Sequence, residues 1–244
     1  MRPYTNSKQL RSFSWWIPVA TLTLLLKYHY SIAMVTDLQW MLQPLADVLG
    51  MLTGYEFHRD RNGEWISITA NVRLVQACAG INFMLMSLLS YAWVFRPDNS
   101  EESTSWTWLG SQLLLLVAVV VAAWATALLA NTLRIITAMW LQSDDGLLQA
   151  TGINGADIHR LIGLSIYLPL LSLQMLLANR DSRRQVLVIP ATLYLLLMVI
   201  VPLVTGNAMR QPGLFIEHLW QLGAAMALMY GVYFLYCYGF RHKR

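Results

Sequence analysis

The sequence predicts an all-α polytopic membrane protein with about six, and up to eight, transmembrane or interfacial helices. Apolar stretches of about 18 or more residues recur along the chain, and each is long enough for a helix to cross a hydrocarbon core. Hydrophobic residues make up 57% of the sequence and charged residues only 12%, about half the charged share of an average soluble domain. No linker or long repeat divides residues 1–244, so we expect a single integral membrane domain.

The apolar stretches define six expected spans. They cover residues 14–36, 79–95, 106–141, 159–178, 186–206 and 215–239. The third span is longer than one crossing requires, so we expect it to tilt, protrude or break. If it breaks, the polar group formed by Asn131, Thr132 and Arg134 is the natural place, because irregular backbone at membrane depth is tolerated where polar groups are satisfied within the protein; whether 106–141 is one helix or two stays open.

The longest expected segment between spans, residues 37–77, contains two elements. Leucine and methionine recur at helical spacing between Asp37 and Thr53, which predicts an amphipathic helix at the membrane interface. Beyond it, the β-prone runs 55–59 and 65–70 flank a turn that contains Asn62-Gly63. Asn-Gly between such runs predicts a β-hairpin, which leads the chain back to the second span.

The distribution of lysine and arginine predicts the orientation. With the N-terminus inside, ten of the 17 basic residues fall in the inner segments and four in the outer loops, which favours a multi-pass protein of the cell (inner) membrane with both termini in the cytoplasm. Residues 37–77 are then extracytoplasmic. The basic residues form no continuous stripe, so we expect membrane lipid and not nucleic acid as their partner.

Three chemically capable side chains, Cys78, Arg134 and His159, fall toward the same outer face of this topology. A cysteine nucleophile needs its thiolate form, which a helix N-terminus, a cation or a histidine favours. Arginine stays protonated and can stabilise charge or position a substrate, whereas histidine can give and take a proton. These residue types together predict a site for acyl transfer through a cysteine.

Three further residues are expected to support this site. Gly80 lets another group approach the backbone closely, and the amides of the following helix start can donate to a developing oxyanion. Asp157 can cap the fourth span or orient the imidazole of His159. Asn131 forms a polar cluster beside Arg134.

These residues lie in three blocks of sequence. The blocks are Cys78-Ala79-Gly80-Ile81, Asn131-Thr132-Leu133-Arg134-Ile135 and His159-Arg160-Leu161-Ile162-Gly163. In this order they resemble the signature blocks of the exosortase/archaeosortase family, and the resemblance extends from about Leu45 to Leu177. Within that family the chain looks most like the compact exosortases, and among these like the exosortase K type.

The resemblance implies a polytopic cysteine transpeptidase that processes C-terminal sorting signals on exported proteins. Matched block by block, Cys78 corresponds to the family nucleophile, Arg134 to the motif arginine and His159 to the family histidine, while Asn131 opens the arginine block. Ala79 stands where many members have serine, which removes a hydroxyl donor beside the nucleophile and leaves the chemistry intact. The expected partner is an exported protein anchored by its own C-terminal helix. The residues do not separate transpeptidation from hydrolysis.

Other interpretations of these residues stay open. Cysteine is often a small buried hydrophobe, and an arginine near a span end can simply extend to the interface. The alternatives are therefore a transporter or lipid-handling protein whose Arg134 binds an anionic group, or a non-catalytic assembly subunit. Cys237 is expected near the opposite face, about a membrane thickness from Cys78, so a disulfide between them is excluded.

The sequence carries no spaced set of histidine and cysteine ligands, and the adjacent Asp144 and Asp145 are expected to be solvated. We therefore expect no metal and no cofactor. Lys27 either extends to the interface or faces the helix bundle, and the role of His218 stays open. The recognition motif in the substrate and the oligomeric state are not encoded in these patterns.

Overall fold

The computed structural model describes residues 6–97, 105–142 and 155–177, together with a few helical positions between 192 and 227. In the three longer stretches, the side chains are described from Ser14, Leu109 and Leu161 onward. The expected fifth and sixth spans lie largely outside the described residues, apart from a π-helical turn at Leu196–Ile200.

Long helices dominate the described residues, which confirms the predicted helical class. They are α1 (Asn6–Ile32), α2 (Gln39–Thr53), α3 (Ile81–Val94), α4 (Ser105–Gln142) and α5 (Gly155–Leu177). Helices α1, α3, α4 and α5 overlap the first four expected spans. The total number of spans stays a prediction.

Helix α3 lies at the centre of the described bundle. Ten of its 14 residues are buried, and it contacts α1, α4 and α5. Helix α1 runs antiparallel to it, because Trp15 Nε1 donates to the Ala92 carbonyl at 3.0 Å near one end and Lys27 Nζ donates to Asn82 Oδ1 at 2.7 Å near the other. Lys27 therefore faces the bundle, which decides between its two expected positions.

The C-terminal end of α1 is held by a side chain from a distant part of the chain. Gln76 Nε2 donates to the carbonyls of Tyr30 at 3.3 Å and Ala33 at 3.2 Å, which satisfies groups that a helix end leaves unpaired. The helix ends at Ile32, four residues before the predicted boundary at 36, and a 3₁₀ turn follows at Val35–Leu38.

Helix α4 is continuous over 38 residues, so of the alternatives left open for this segment, a break at Asn131, Thr132 and Arg134 does not occur. The polar side chains bond to their own helix: Asn131 Nδ2 donates to the Ala127 carbonyl at 2.9 Å, and Thr132 Oγ1 donates to the Leu128 carbonyl at 2.8 Å. This bonding to the preceding turn satisfies them without opening the backbone. A helix of this length spans about 57 Å, which exceeds a hydrocarbon core of ~30 Å.

Among the described residues, two helical segments are long and apolar enough to cross a membrane, Gln76–Val94 and Leu109–Leu141. The second has a mean hydropathy of 2.7, yet only 22% of its most apolar stretch is buried. Its exposed side chains include Leu109, Leu113, Leu114, Val117, Val121 and Leu129. Apolar surface of this extent is unfavourable in water and stable against lipid, so it indicates membrane association.

Helix α2 confirms the helix predicted between Asp37 and Thr53, although it begins two residues later. Its buried residues recur at helical spacing and are Met41, Leu42, Leu45, Ala46 and Leu49. The helix contacts α4 and ends at Gly54, whose left-handed conformation caps it through a hydrogen bond from its N–H to the Gly50 carbonyl at 2.9 Å. The apolar face therefore packs on protein, and the interfacial position stays a prediction.

The predicted hairpin is confirmed. Strand β1 (His58–Arg59) pairs antiparallel with β2 (Trp65–Ser67). In the connecting turn, Asp60 Oδ1 accepts hydrogen bonds from the amides of Asn62 and Glu64, each at 2.9 Å. Gly63 has a φ of +84°, the left-handed conformation that a three-residue hairpin loop requires.

A third strand, β3 (Val72–Leu74), was not predicted. It pairs antiparallel with β2, and the order in the sheet is β1-β2-β3. The expected strand 65–70 stops at Ser67 because the chain turns there, with Asn71 at a φ of +52° and its N–H bonded to the Ile68 carbonyl. Strand β3 leads directly to Cys78.

The hairpin tip gives a test of the predicted orientation. With both cysteines replaced by serine, Asn62→Cys should react with a membrane-impermeant maleimide in intact cells, because Asn62 is exposed and its loop is expected outside. Ser182→Cys, in the expected inner segment before the fifth span, is the matched control and should react only after the cells are opened. Labelling of position 182 but not 62 in intact cells would reverse the orientation.

Candidate active site

Cys78 lies in a 3₁₀ turn, Gln76–Ala79, immediately before α3. Its main-chain N–H donates to the Val75 carbonyl at 2.8 Å, which holds the turn. The side chain is a free thiol that is 6% exposed. The first amides of α3 have no acceptor within the helix, and the N-cap residue, Gly80, has no side chain to cap them. The thiol therefore precedes a helix start whose amides can donate to an oxyanion, as expected from the sequence.

Gly80 joins this turn to α3 in a conformation that favours glycine. Its φ is +66°, where another L-residue costs about 1–2 kcal/mol. In addition, a Cβ at this position would overlap the side-chain amide of Asn131 on α4. Gly80 therefore permits the close approach that the sequence analysis expected, and Asn131 is the group that approaches.

Asn131 begins a chain of hydrogen bonds that joins α4 to α5. Its Oδ1 accepts from the Tyr167 hydroxyl at 2.8 Å, and Arg134 Nη1 donates to the same hydroxyl at 2.8 Å. The Tyr167 hydroxyl is thus a donor to one neighbour and an acceptor from the other, which fixes the direction of its proton. The bond from the charged guanidinium is of the stronger, charge-assisted kind.

The ring of Tyr167 is held by α3. It stacks on Phe83, with ring centroids 4.4 Å apart and an angle of 21° between the planes. Tyr167 and Tyr30 each lie within electrostatic range of both Cys78 and Arg134. Cys78 and Ile135, which follows Arg134 on α4, also line one cavity, so the structure brings the thiol and the guanidinium, two predicted site residues on different elements, into one region.

A cavity of about 140 Å³ borders Cys78. Its lining residues come from the stretch around β3, from the thiol itself and from α4: Asn71, Val72, Arg73, Leu74, Cys78, Ile135, Ala138 and Met139. On α4, positions 131, 134, 135 and 138 follow the spacing of one helix face. The face that carries Asn131 and Arg134 thus continues into the wall of this cavity.

The positive charge of Arg134 is not compensated within the described part of the chain. Its Nε atom is buried and has no hydrogen-bond partner there, and the ion pairs among the described residues involve other side chains. A buried hydrogen-bond donor on a fixed cation can stabilise the negative charge of a substrate group or of a developing oxyanion. Both functions expected of Arg134, stabilisation of charge and positioning of a substrate, are compatible with this setting.

Two predicted site residues, Asp157 and His159, lie in the first turns of α5, and their side chains fall outside the described residues. The backbone of α5 nevertheless locates position 159. Gly163 lies one turn further on and borders Arg134, because a Cβ on Gly163 would contact Arg134 Cδ at 3.7 Å. Residues four apart share a helix face, so position 159 lies on the face of α5 that borders α4.

Sequence reasoning missed Tyr167 and Tyr30. Tyr167 follows His159 and Gly163 at intervals of four residues, so the helical spacing that selects one face of α5 could have identified it. Tyr30 offers no comparable pattern, because its relation to the site depends on how α1 packs. The pairing of Lys27 with Asn82, two residues after Gly80, was equally hidden for the same reason.

Within the described residues, no group of three or more histidine, cysteine, aspartate or glutamate side chains could hold a metal ion. Asp144, Asp145 and His218 lie outside these residues, as does Cys237. The polar groups around Cys78 are instead a guanidinium, an amide and phenols, which serve hydrogen bonding and charge stabilisation.

Comparison of the chain with protein-family models, with curated proteins and with solved structures finds no match in any of the three. The likeness to exosortases therefore depends on the three sequence blocks alone. The geometry around Cys78 is the independent observation from which a function is proposed below.

The contact at Gly80 predicts a measurable cost. Gly80→Ala should destabilise the protein by about 2–4 kcal/mol, because a left-handed alanine is combined with overpacking against Asn131. Thermal or denaturant unfolding in detergent measures this loss. Gly54→Ala is the matched control, since Gly54 has a φ of +73° with nothing within 4 Å of an added Cβ, and it should lose only the conformational part. Equal losses at the two glycines would show that the Asn131 contact contributes nothing.

Proposed function

We propose that the protein is a membrane-embedded cysteine transpeptidase or peptidase that cleaves the C-terminal sorting signal of exported proteins. The observation that carries this proposal is the setting of Cys78, a free thiol that borders a cavity before the start of α3. Two features support it: the charge of Arg134, which has no counter-charge among the described residues, and the hydrogen bonds through Tyr167 and Asn131. The order of the three sequence blocks supplies the substrate class.

In the proposed reaction, the Cys78 thiol passes its proton to His159 and its sulfur attacks the carbonyl carbon of the scissile peptide bond. The carbon–sulfur bond forms, the carbon–nitrogen bond breaks, and His159 returns the proton to the leaving amine. Arg134 and the first amides of α3 stabilise the oxyanion of the tetrahedral intermediate. An acceptor amine or water then attacks the thioester, which releases the thiol.

The remainder of the proposal concerns the membrane. The chain is a multi-pass protein with both termini in the cytoplasm, and the site opens to the extracytoplasmic side under the small sheet. The apolar surface of α4, of which little is buried, supports a location in lipid. The substrate's own C-terminal helix then reaches the site from within the bilayer.

Substitution of the nucleophile tests the proposed chemistry. Cys78→Ala, and with it Cys78→Ser, should reduce processing to the level of a strain that lacks the protein, because neither side chain supplies a thiolate. Mass spectrometry of the C-termini of exported proteins in the native host provides the measurement. Full processing by Cys78→Ala would refute a cysteine mechanism.

The Tyr167 hydroxyl provides a second test. Tyr167→Phe removes the group that joins Arg134 to Asn131, so we expect processing to fall by about tenfold or more while the protein stays folded, the size of effect that one charge-assisted hydrogen bond has. Tyr91→Phe is the matched control, because its hydroxyl bonds to Thr126 Oγ1 at 3.0 Å, away from the cysteine. Equal activity of the two variants would remove Tyr167 from the site.

One observation favours a second candidate function, binding of an anionic lipid. A groove of about 340 Å³ lies between α4 and α5 just beyond Arg134, lined mainly by apolar side chains: Thr137, Leu141, Leu161, Ile162, Ser165 and Ile166. An anionic group that entered along this groove from the outer face would reach the guanidinium. In that case Arg134→Gln would abolish function and Cys78→Ala would not. In a cysteine enzyme, by contrast, Cys78→Ala abolishes function.

A further inference from the structure

Strand β3 is an edge strand that ends four residues before Cys78. Its one strand neighbour among the described residues is β2, with Ile66 opposite Arg73. An edge strand presents unpaired N–H and C=O groups, which can pair with another extended chain. Because this edge lies so close to the candidate nucleophile, it is a candidate surface for binding an extended peptide.

The alternation of hydrogen bonds identifies which groups face outward. In the hairpin, the Asp60 amide donates to the Glu64 carbonyl at 2.8 Å, so this pair is of the hydrogen-bonded type. Hydrogen-bonded and non-hydrogen-bonded pairs alternate along an antiparallel ladder. The next hydrogen-bonded pair is therefore His58 with Ile66, so the main-chain N–H and C=O of Ile66 point to β1. Its neighbours in β2 bond to Val72 and Leu74. The N–H and C=O of Arg73 consequently point away from β2, toward the free edge.

The cavity beside Cys78 runs along this same edge. Four consecutive residues, 71–74, line it on one side, although successive side chains of a strand point to opposite faces. Four consecutive residues can line the same wall only if that wall consists largely of main-chain atoms. The Arg73 side chain is engaged elsewhere, since its Nη1 pairs with Glu64 Oε2 at 3.2 Å.

We propose that an extended segment of the substrate adds to the free edge of β3, by pairing with the main chain of Arg73, and that this pairing presents the scissile carbonyl to Cys78. The inference rests on the proposed function for the identity of the substrate. Main-chain pairing at a sheet edge is a recurring mode of peptide recognition, with pockets for alternate side chains giving specificity. Because the cavity of about 140 Å³ is small beside ligand pockets of about 300–1,000 Å³, the segment carries small side chains at this point.

A proline substitution isolates the outward-facing donor. Arg73→Pro removes an N–H that makes no ladder bond to β2, and proline is tolerated at such positions of edge strands. Arg73→Ala is the control for loss of the ion pair with Glu64. Val72→Pro is the control for damage to the sheet, because it removes an N–H that bonds to β2. We expect Arg73→Pro to keep the unfolding temperature of Arg73→Ala, and Val72→Pro to lower it.

The probe is a pool of tripeptidyl chloromethyl ketones with small side chains, used on the full-length protein in detergent. Their reaction with Cys78 forms a carbon–sulfur bond and releases chloride, while the thiol proton goes to the buffer, and it needs no knowledge of the natural substrate. Iodoacetamide, which has no peptide to pair, measures the intrinsic reactivity of the thiol. Mass spectrometry of the Cys78 peptide gives both rates.

We expect Arg73→Pro to slow the peptide pool by about threefold to tenfold, the effect of one main-chain hydrogen bond, and to leave the iodoacetamide rate unchanged. Arg73→Ala, which loses the same side chain but keeps its N–H, is the reference with which both rates of Arg73→Pro are compared. In the wild-type protein, a pool methylated on the amide nitrogen that donates to the Arg73 carbonyl should be slower by a similar factor, because the methyl group removes the second main-chain hydrogen bond of the same pairing.

Equal rates for the methylated and unmethylated pools in the wild-type protein would overturn the inference, even if Arg73→Pro failed to fold. Equal pool rates for Arg73→Pro and Arg73→Ala would overturn it as well. The outcome is separable from that of the proposed function. Full processing by Cys78→Ala would refute the enzyme and leave the pairing at β3 to be judged by the probe rates, whereas failure of the pairing leaves the cysteine chemistry intact.

Discussion

At Gly80 the backbone before α3 lies so close to the side-chain amide of Asn131 on α4 that an added Cβ would overlap it. The same amide bonds to Tyr167 on α5, which in turn holds Arg134. Cys78 stands two residues before this contact. The position of the thiol relative to the guanidinium therefore depends on the contact between Gly80 and Asn131 and on the two hydrogen bonds of Tyr167. A side chain at position 80 would displace all three contacts.

This arrangement concentrates polar groups inside an apolar bundle. Each must be satisfied there, because an unpaired polar group away from water costs free energy. Asn131 and Tyr167 meet this demand in full, whereas Arg134 Nε does not within the described residues. An unfilled donor in a low-dielectric setting interacts strongly with whatever charge develops beside it. Other buried atoms of the described residues share this state, among them Ser90 Oγ and Gln174 Oε1, but Arg134 is the residue to which catalysis or anion binding is assigned.

Features that depend on neighbouring residues were predictable from the sequence. The hairpin followed from Asn62-Gly63, and a close approach to the backbone was expected at Gly80 because glycine has no Cβ. Features that depend on distant packing were not. The end of α1 is set by Gln76, which lies 46 residues from its partner, and the relation of Tyr30 to the site depends on how α1 packs. Whether α4 breaks was left open by the sequence, and the helix is continuous because Asn131 and Thr132 bond within their own helix, an option that composition alone does not reveal.

The central claim is that Cys78 forms a thioester with the substrate. Membranes of the native host, denatured in acid during active export, allow this to be measured directly by mass spectrometry of the peptide that contains Cys78. The account predicts an acyl adduct on the Cys78 sulfur that hydroxylamine removes and that is missing from cells carrying Cys78→Ala. An unmodified Cys78 peptide in cells that process their exported proteins at the normal rate would contradict it.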